Sequence, residues 1–194
     1  MGILGVKHSD RVSIVSSDHT CTKIGDTIKT EALITNDSAV TLFLLTADCL
    51  PVTLYDPEHK VVALAHLGWK PTGLNLLPKL LQQMHEAFST NPAATYVWIG
   101  PSISKHSYVQ QEVAQINDPA WQPYITPAKC GGHHIDLQTY NIDQLLHMGV
   151  SNKKISLSKI DTATDLRYFS HYRAIHDKER EGRFATIVSL PPES

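Results

Sequence analysis

Apolar positions in the first seventy residues fall in short unbroken runs; beyond them they recur at helical spacing. Val12–Val15, Ala32–Thr35, Val40–Leu45, Val52–Tyr55 and Val61–Ala65 are rich in branched aliphatics and read as strands. The turn Asp56-Pro57-Glu58-His59 separates the last two. These runs alternate little, which predicts burial on both faces for at least some of them. Leu74, Leu77, Leu81, Met84 and Phe88 share one face of a helix predicted over Gly73–Phe88. Thr95–Ile99 reads as a further strand, stopped by Gly100-Pro101. Tyr108–Ile116 predicts a short helix, and Asn117–Gly132, punctuated by Pro119, Pro123, Pro127 and Gly131, a loop. Leu137–Met148 is a second clear helix, with Asp136 as N-cap and Gly149 at C′. Ile155–Ile160 and Phe184–Leu190 close the chain as strands. Strands clustered first and helices interspersed later indicate an α+β fold of mixed β-sheets with flanking helices. No repeat, low-complexity tract or long linker interrupts it, so residues 1–194 read as a single compact domain.

Composition removes several function classes. At 194 residues, 42% hydrophobic and 19% charged, the chain can bury a core. Seventeen basic against nineteen acidic residues leave a net charge of −2, without the concentrated positive charge of a nucleic-acid binder. The longest apolar stretch, within Ala39–Leu45, is far too short for a membrane span. Met1-Gly2-Ile3-Leu4-Gly5-Val6 lacks the basic and apolar regions of a signal peptide. Three cysteines argue against a disulfide scaffold and for a reducing compartment, so a cytoplasmic location is expected.

Histidine changes the picture: eleven residues is well above ordinary usage, and His is both the commonest metal ligand and the usual acid–base residue near neutrality. In Thr46-Ala47-Asp48-Cys49-Leu50-Pro51-Val52 an apolar run breaks for a carboxylate and a thiol, then resumes. A buried carboxylate is costly without partners, so Asp48 is expected to face a cleft or accept backbone hydrogen bonds. Cys49 reads either as a small buried apolar residue or as a ligand. In Ala65-His66-Leu67-Gly68-Trp69-Lys70-Pro71-Thr72-Gly73 a strand ends at His66, where α/β proteins place functional side chains, and Trp69 can wall a pocket. His8, in the polar lead to the first strand, would complete a set of two imidazoles and one thiolate with an open fourth position. His171, within Phe169-Ser170-His171-Tyr172-Arg173, suits an anionic or aromatic ligand. Of His133-His134, one is expected to be exposed and the other to support a site, because neighbours on a strand point oppositely. His59, His85 and His147 read as solvated.

Taken together these segments are familiar. Thr46-Ala47-Asp48-Cys49-Leu50-Pro51-Val52 matches "TADCLPV", and Ala65-His66-Leu67-Gly68-Trp69-Lys70 resembles "VHAGWRG". Ile99-Gly100-Pro101-Ser102-Ile103 followed by Tyr108 resembles "IGPSIGPCCYEV", and Asp136-Leu137 with Asn141, Gln144, Leu145, Gly149 and Val150 resembles "DLWxxNxxQLxxxGV". Ile160-Asp161-Thr162-Ala163-Thr164-Asp165 leading to Phe169-Ser170-His171-Tyr172-Arg173 resembles "ICTATDPxxFFSHRR", closed by Gly182-Arg183-Phe184. The chain therefore resembles the YfiH-like family, once grouped as multicopper polyphenol oxidases or laccase-domain proteins. The resemblance implies a zinc-dependent enzyme acting on purine nucleosides. The implied reactions are phosphorolysis of adenosine, inosine, guanosine or methylthioadenosine, and deamination of adenosine. It also implies metal ligands His8, Cys49 and His66. Asp48 is then a proton carrier by proximity, and Lys70, Arg173, Arg183 and His171 are candidates to hold substrate or phosphate.

The departures from the family pattern are specific. Lys7-His8-Ser9 replaces "VHG", Lys70 stands where Arg is usual, His106-Ser107 replaces the paired Cys, and Asp161 replaces the Cys of "CT". The segment that usually precedes the first motif, and is expected to help close the substrate site, has no counterpart in the sequence. Two other readings compete. A copper-dependent polyphenol oxidase would need many His-X-His pairs, and no His-X-His occurs, although Cu²⁺ is the alternative occupant of an N/S site. A catalytically weak binding or partner protein would keep the fold without turnover.

Overall fold

The computed structural model describes residues 1–19, 26–129 and 131–192. Its first strands are β1 (Gly2–Ile3), β2 (Val12–Ile14), β3 (Ala32–Thr35), β4 (Thr41–Thr46), β5 (Leu50–Asp56) and β6 (Val61–Leu67). Helices α1 (Trp69–Gly73) and α2 (Leu76–Phe88) follow, then β7 (Tyr96–Ile99), β8 (Val109–Gln110), β9 (Ile125–Pro127) and β10 (His133–Ile135). Helix α3 (Leu137–His147), β11 (Ile155–Leu157), α4 (His171–His176) and β12 (Phe184–Ser189) complete the order. A six-stranded sheet ordered β11-β7-β5-β6-β3-β2 forms the centre, with three-stranded sheets β1-β4-β12 and β8-β10-β9 beside it. The central sheet is mixed: β2–β3 and β7–β11 run parallel, and the other pairs antiparallel. The expected α+β architecture is the observed one.

The runs without alternation sit between two cores. Every residue of β6 is buried. Val61, Ala63, Ala65 and Leu67 face α2 together with Leu76, Leu77, Leu80, Leu81 and Met84. Val62 and Leu64 face Leu42 and Leu44 of β4 on the opposite side. A strand covered on both faces has no position left for polar alternation, which is why its sequence reads as a continuous apolar run.

Three expected elements differ. The helix predicted over Gly73–Phe88 is two helices, because Leu74 and Asn75 leave the helical path and Asn75 takes a left-handed conformation at φ 58°. Asn tolerates that region better than most residues, and its Oδ1 accepts from Gln144 Nε2 at 2.7 Å. Leu74, counted on the apolar face, is exposed. The short helix predicted over Tyr108–Ile116 is replaced by β8, whose Val109 and Gln110 pair with His134 and His133, followed by turns. Cross-strand pairing outweighed a weak local helical pattern. The loop Asn117–Gly132 contains β9 and the buried Trp121. His85 and His147 are exposed as expected and His59 is half-buried; the Nδ1 atoms of His59 and His85 bond Asp56 at 2.8 Å and the Thr90 carbonyl at 3.0 Å.

Two loops that frame one end of the central sheet are joined by Asp161. Its Oδ2 accepts from Ser104 Oγ at 2.5 Å and Ser107 Oγ at 2.7 Å, and its Oδ1 from the Ser104 and Ala163 amides. Ser107 and Asp161, two of the positions where the resembled pattern carries cysteine, thus meet in one hydrogen bond. Burial alone would raise the Asp161 pKa, but the hydrogen bonds more than offset it and hold it below the ordinary value. A depressed folded-state pKa contributes stability above the unfolded carboxylate value, about 3.9, and that stability is lost as pH falls through the folded value. Asp161→Asn is therefore expected to melt below wild type at pH 7, with the gap closing below about pH 4. A gap unchanged between pH 7 and pH 3 in thermal unfolding would remove this role.

Candidate metal and substrate site

The C-terminal end of β6 and the β4–β5 turn meet beside the N-terminal loop. His66 is the penultimate residue of β6 and only 4% exposed. Cys49 ends the turn that Asp48 makes at φ 79°, and its Sγ and the Cε1 of His66 both approach Gly68. His8, at φ 56° in the loop between β1 and β2, sets its ring edge-on to His66 with centroids 5.6 Å apart. Gly68 makes this approach tolerable, since a Cβ there would stand 3.0 Å from Cys49 Sγ. Residues from three distant segments thus converge.

Glu31, at the head of β3, organises both histidines. Completely buried, it places Oε2 2.8 Å from His66 Nδ1, while Oε1 accepts from the Lys7 and Ser9 amides that flank His8. One carboxylate therefore orients one imidazole and pins the loop that carries the other. Sequence reading passed over Glu31; the available signal was an acid immediately before the apolar run Ala32–Thr35, where burial demands partners. Burial would lower the His66 pKa, but Cys49 and Glu31 outweigh it and push it up to about 9. Burial, then the neighbouring His66, pulls the His8 pKa below its ordinary value, with Glu31 partly opposing. Glu31 itself stays low because hydrogen bonds from His66, Lys7 and Ser9 outweigh its burial.

Asp48, 7% exposed, accepts from Thr162 Oγ1 at 2.7 Å, Ser170 Oγ at 3.0 Å and the Tyr172 amide at 2.7 Å. Both carboxylate oxygens are engaged in fastening the Cys49 turn to the 162 loop and the start of α4. His8, Asp48, Cys49, Trp69, Tyr108 and His171 are among the residues lining one cavity of about 380 Å³. Lys70 lies in an adjoining cavity that His8 and Trp69 also line. His171 Nδ1 is 3.1 Å from Glu181, to which Arg183 also bonds at 3.0 Å.

Two expected phosphate ligands are placed elsewhere. The Arg173 guanidinium, only 7% exposed, turns inward to the Thr162 and Tyr168 carbonyls and to Glu179, and does not line the cavity with Cys49. Arg183 is not among the residues lining that cavity; it bonds Glu181 and the Gly182 carbonyl. His133 and His134 lie in β10, and His134 Nδ1 bonds the Lys105 carbonyl at 2.9 Å.

Among the described residues no group of three or more His, Cys, Asp or Glu side chains is arranged so that it could hold a metal ion. The donor chemistry nevertheless fits zinc. The Cys49 thiol and the His8 imidazole line a cavity, the His66 ring stands beside His8, and a buried carboxylate fixes the His66 orientation, as metal-ligating histidines require.

No described helix is long and apolar enough to cross a membrane. The family model described as multi-copper polyphenol oxidoreductase laccase matches residues 2–191. A purine nucleoside phosphorylase of Bacteroides thetaiotaomicron is 36% identical over 140 residues, 68% of this chain and 51% of that protein. Purine nucleoside phosphorylase YlmD of Bacillus subtilis is 31% identical over 166 residues, 83% of this chain and 59% of that protein. The chain thus spans between half and three fifths of the length of these relatives. The crystal structure of the Bacillus licheniformis hypothetical protein YfiH superposes with a TM-score of 0.88 at 28% identity, covering 98% of this chain and 74% of that one. By the near-complete match of its sequence and the agreement of its fold, this chain belongs to the multi-copper polyphenol oxidoreductase laccase family, the YfiH-like family that its motifs resemble.

Proposed function

We propose that the chain binds one zinc ion through His8, Cys49 and His66 and catalyses phosphorolysis of purine nucleosides in the cytoplasm, with adenosine, inosine, guanosine and methylthioadenosine as the substrate class. The observation that carries this reading is that His8 and Cys49 line one cavity with the His66 ring beside them, while Glu31 bonds His66 and the amides that flank His8. The purine nucleoside phosphorylase names of the two relatives support the reaction type. Zinc so held supplies Lewis acidity at the cavity wall.

The chain's own groups have distinct tasks. Glu31 keeps His66 Nδ1 occupied, which leaves Nε2 as the ring nitrogen for the metal. Lys70, beside His8, is a point charge for phosphate. In the reaction a phosphate oxygen forms a bond to ribose C1′ while the C1′–N9 bond breaks, and its electron pair leaves with the purine. His171, oriented by Glu181, donates the proton that the departing base takes up.

Incubation of the zinc-loaded protein with inosine, with and without phosphate, tests the proposal. Hypoxanthine and ribose 1-phosphate are expected only when phosphate is present. Base release without phosphate would overturn phosphorolysis, and so would ammonia release from adenosine as the sole reaction. Tight zinc without turnover of any nucleoside would establish the binding-protein reading instead. Phenol oxidation confined to the Cu²⁺-loaded protein would establish the oxidase reading.

A further inference from the structure

Beyond Tyr108 and Trp69 the cleft opens into a second chamber of about 390 Å³, whose walls include Trp69, Tyr108, Gln110, Gln115, Trp121 and Ile135. Trp69, Tyr108 and Gln110 line the Cys49 cavity as well, so the two chambers share a wall. They differ in chemistry. The first is lined by the Cys49 thiol, Asp48, His8, His171 and His176; no Lys, Arg or His lines the second, whose one charged residue is Glu112. Its indole wall is rigid: Trp121 is 2% exposed and stacks on Tyr140 at 4.2 Å and 23°, with Tyr124 edge-on to the same ring at 4.8 Å. Gln110 and Gln115 add amides, each able to donate and accept. Flat apolar walls and paired donor–acceptor groups without cationic charge suit a neutral heteroaromatic ring and disfavour a phosphate.

Given the purine nucleoside reading above, on which this rests, we infer that the Trp69–Trp121 chamber is the purine-base subsite, with Gln110 and Gln115 reading the edge of the ring. Tyr108 stands at the junction, since it lines both the chamber and the cavity that holds Cys49 and Asp48. A base seated there extends away from Cys49 and His66 and leaves its glycosidic carbon, rather than its C6, on their side. That placement suits cleavage of the bond to ribose and opposes deamination.

The test uses hypoxanthine binding, followed by equilibrium dialysis, in the zinc-loaded protein, in the double variant Gln110→Leu/Gln115→Leu and in Ala114→Trp, which places a bulky ring at the chamber rim. Both are expected to bind hypoxanthine at least about tenfold more weakly than wild type. Zinc content, ribose 1-phosphate binding and the melting temperature are expected to remain unchanged. Unaltered hypoxanthine affinity in both variants, or no hypoxanthine binding by the wild type, would overturn the subsite. The outcomes separate from those of the catalytic proposal. Selective loss of hypoxanthine without any nucleoside turnover would leave the subsite standing and the phosphorylase reading fallen. Normal turnover and affinity in both variants would do the reverse.

Discussion

Cys49→Ala is expected to abolish stoichiometric zinc binding and phosphorolysis together while leaving the fold intact. The thiolate is the single anionic donor of the proposed set, and zinc has a strong preference for sulfur alongside imidazole. Removing even a group that only orients a ligand costs about 10–100-fold in metal affinity, so loss of a ligand itself exceeds that. The fold tolerates the change because Cys49 ends a turn at partial exposure, where the Sγ atom contacts Gly68 and His66 rather than either apolar core. A stability change within about 1 kcal/mol follows. Zinc content after dialysis against a chelator, hypoxanthine release from inosine and thermal unfolding measure the three expectations separately. Retention of one zinc per chain, or turnover near wild type, would remove Cys49 from the site.

Asp48→Ala is expected to be the most destabilising substitution near the site. Three donors, Thr162 Oγ1, Ser170 Oγ and the Tyr172 amide, lose their acceptor in a buried setting. Each unsatisfied group costs about 1–3 kcal/mol, and the backbone at φ 79° adds about 1 kcal/mol for alanine. Even at the low end, a total of about 4 kcal/mol lowers the melting temperature of a chain this size by about 10 °C. Asp48→Gly relieves the backbone but not the lost acceptors, so it is expected to melt above Asp48→Ala. Asp48→Asn keeps one acceptor and a residue tolerant of positive φ, and is expected to melt above both. The three melting temperatures, measured together, decide the matter. Asp48→Ala at the wild-type value would mean that the carboxylate fastens nothing. A large fall in kcat for Asp48→Asn without loss of stability would instead favour the proton-carrying role.

Glu31 and Asp48 perform complementary tasks. Glu31 holds the two histidines from behind, and Asp48 holds the cysteine turn against α4 and the loops after β11. Neither carboxylate has a partner nearby in sequence: Glu31 meets His66 across 35 positions, and Asp48 meets Tyr172 across 124. Both interactions depend on β3 pairing with β6 in one register, which sets Ala32 opposite Ala65, and on α4 folding back over the β4–β5 turn. A slip of one residue would turn every side chain of β6 to the other face and move His66 out of the site.

The amino-acid sequence determined the elements that rest on local pattern: the strands β3 to β6 and β7, the helix that Asp136 caps, and the double-sided burial of β6. Its motifs identified His8, Cys49 and His66 as a set, although they lie 41 and 17 positions apart along the chain. Periodicity records how much of a residue is covered, and that much is written along a single segment. Which polar group satisfies which other is decided only when strands have paired and loops have closed. Tertiary structure alone brought Glu31 behind both histidines, turned the Arg173 guanidinium inward to two carbonyls and Glu179, and set Ser107 on Asp161. It also broke the long helix at Asn75 and made Val109 and Gln110 a strand, because partners distant in sequence outweighed weak local preference.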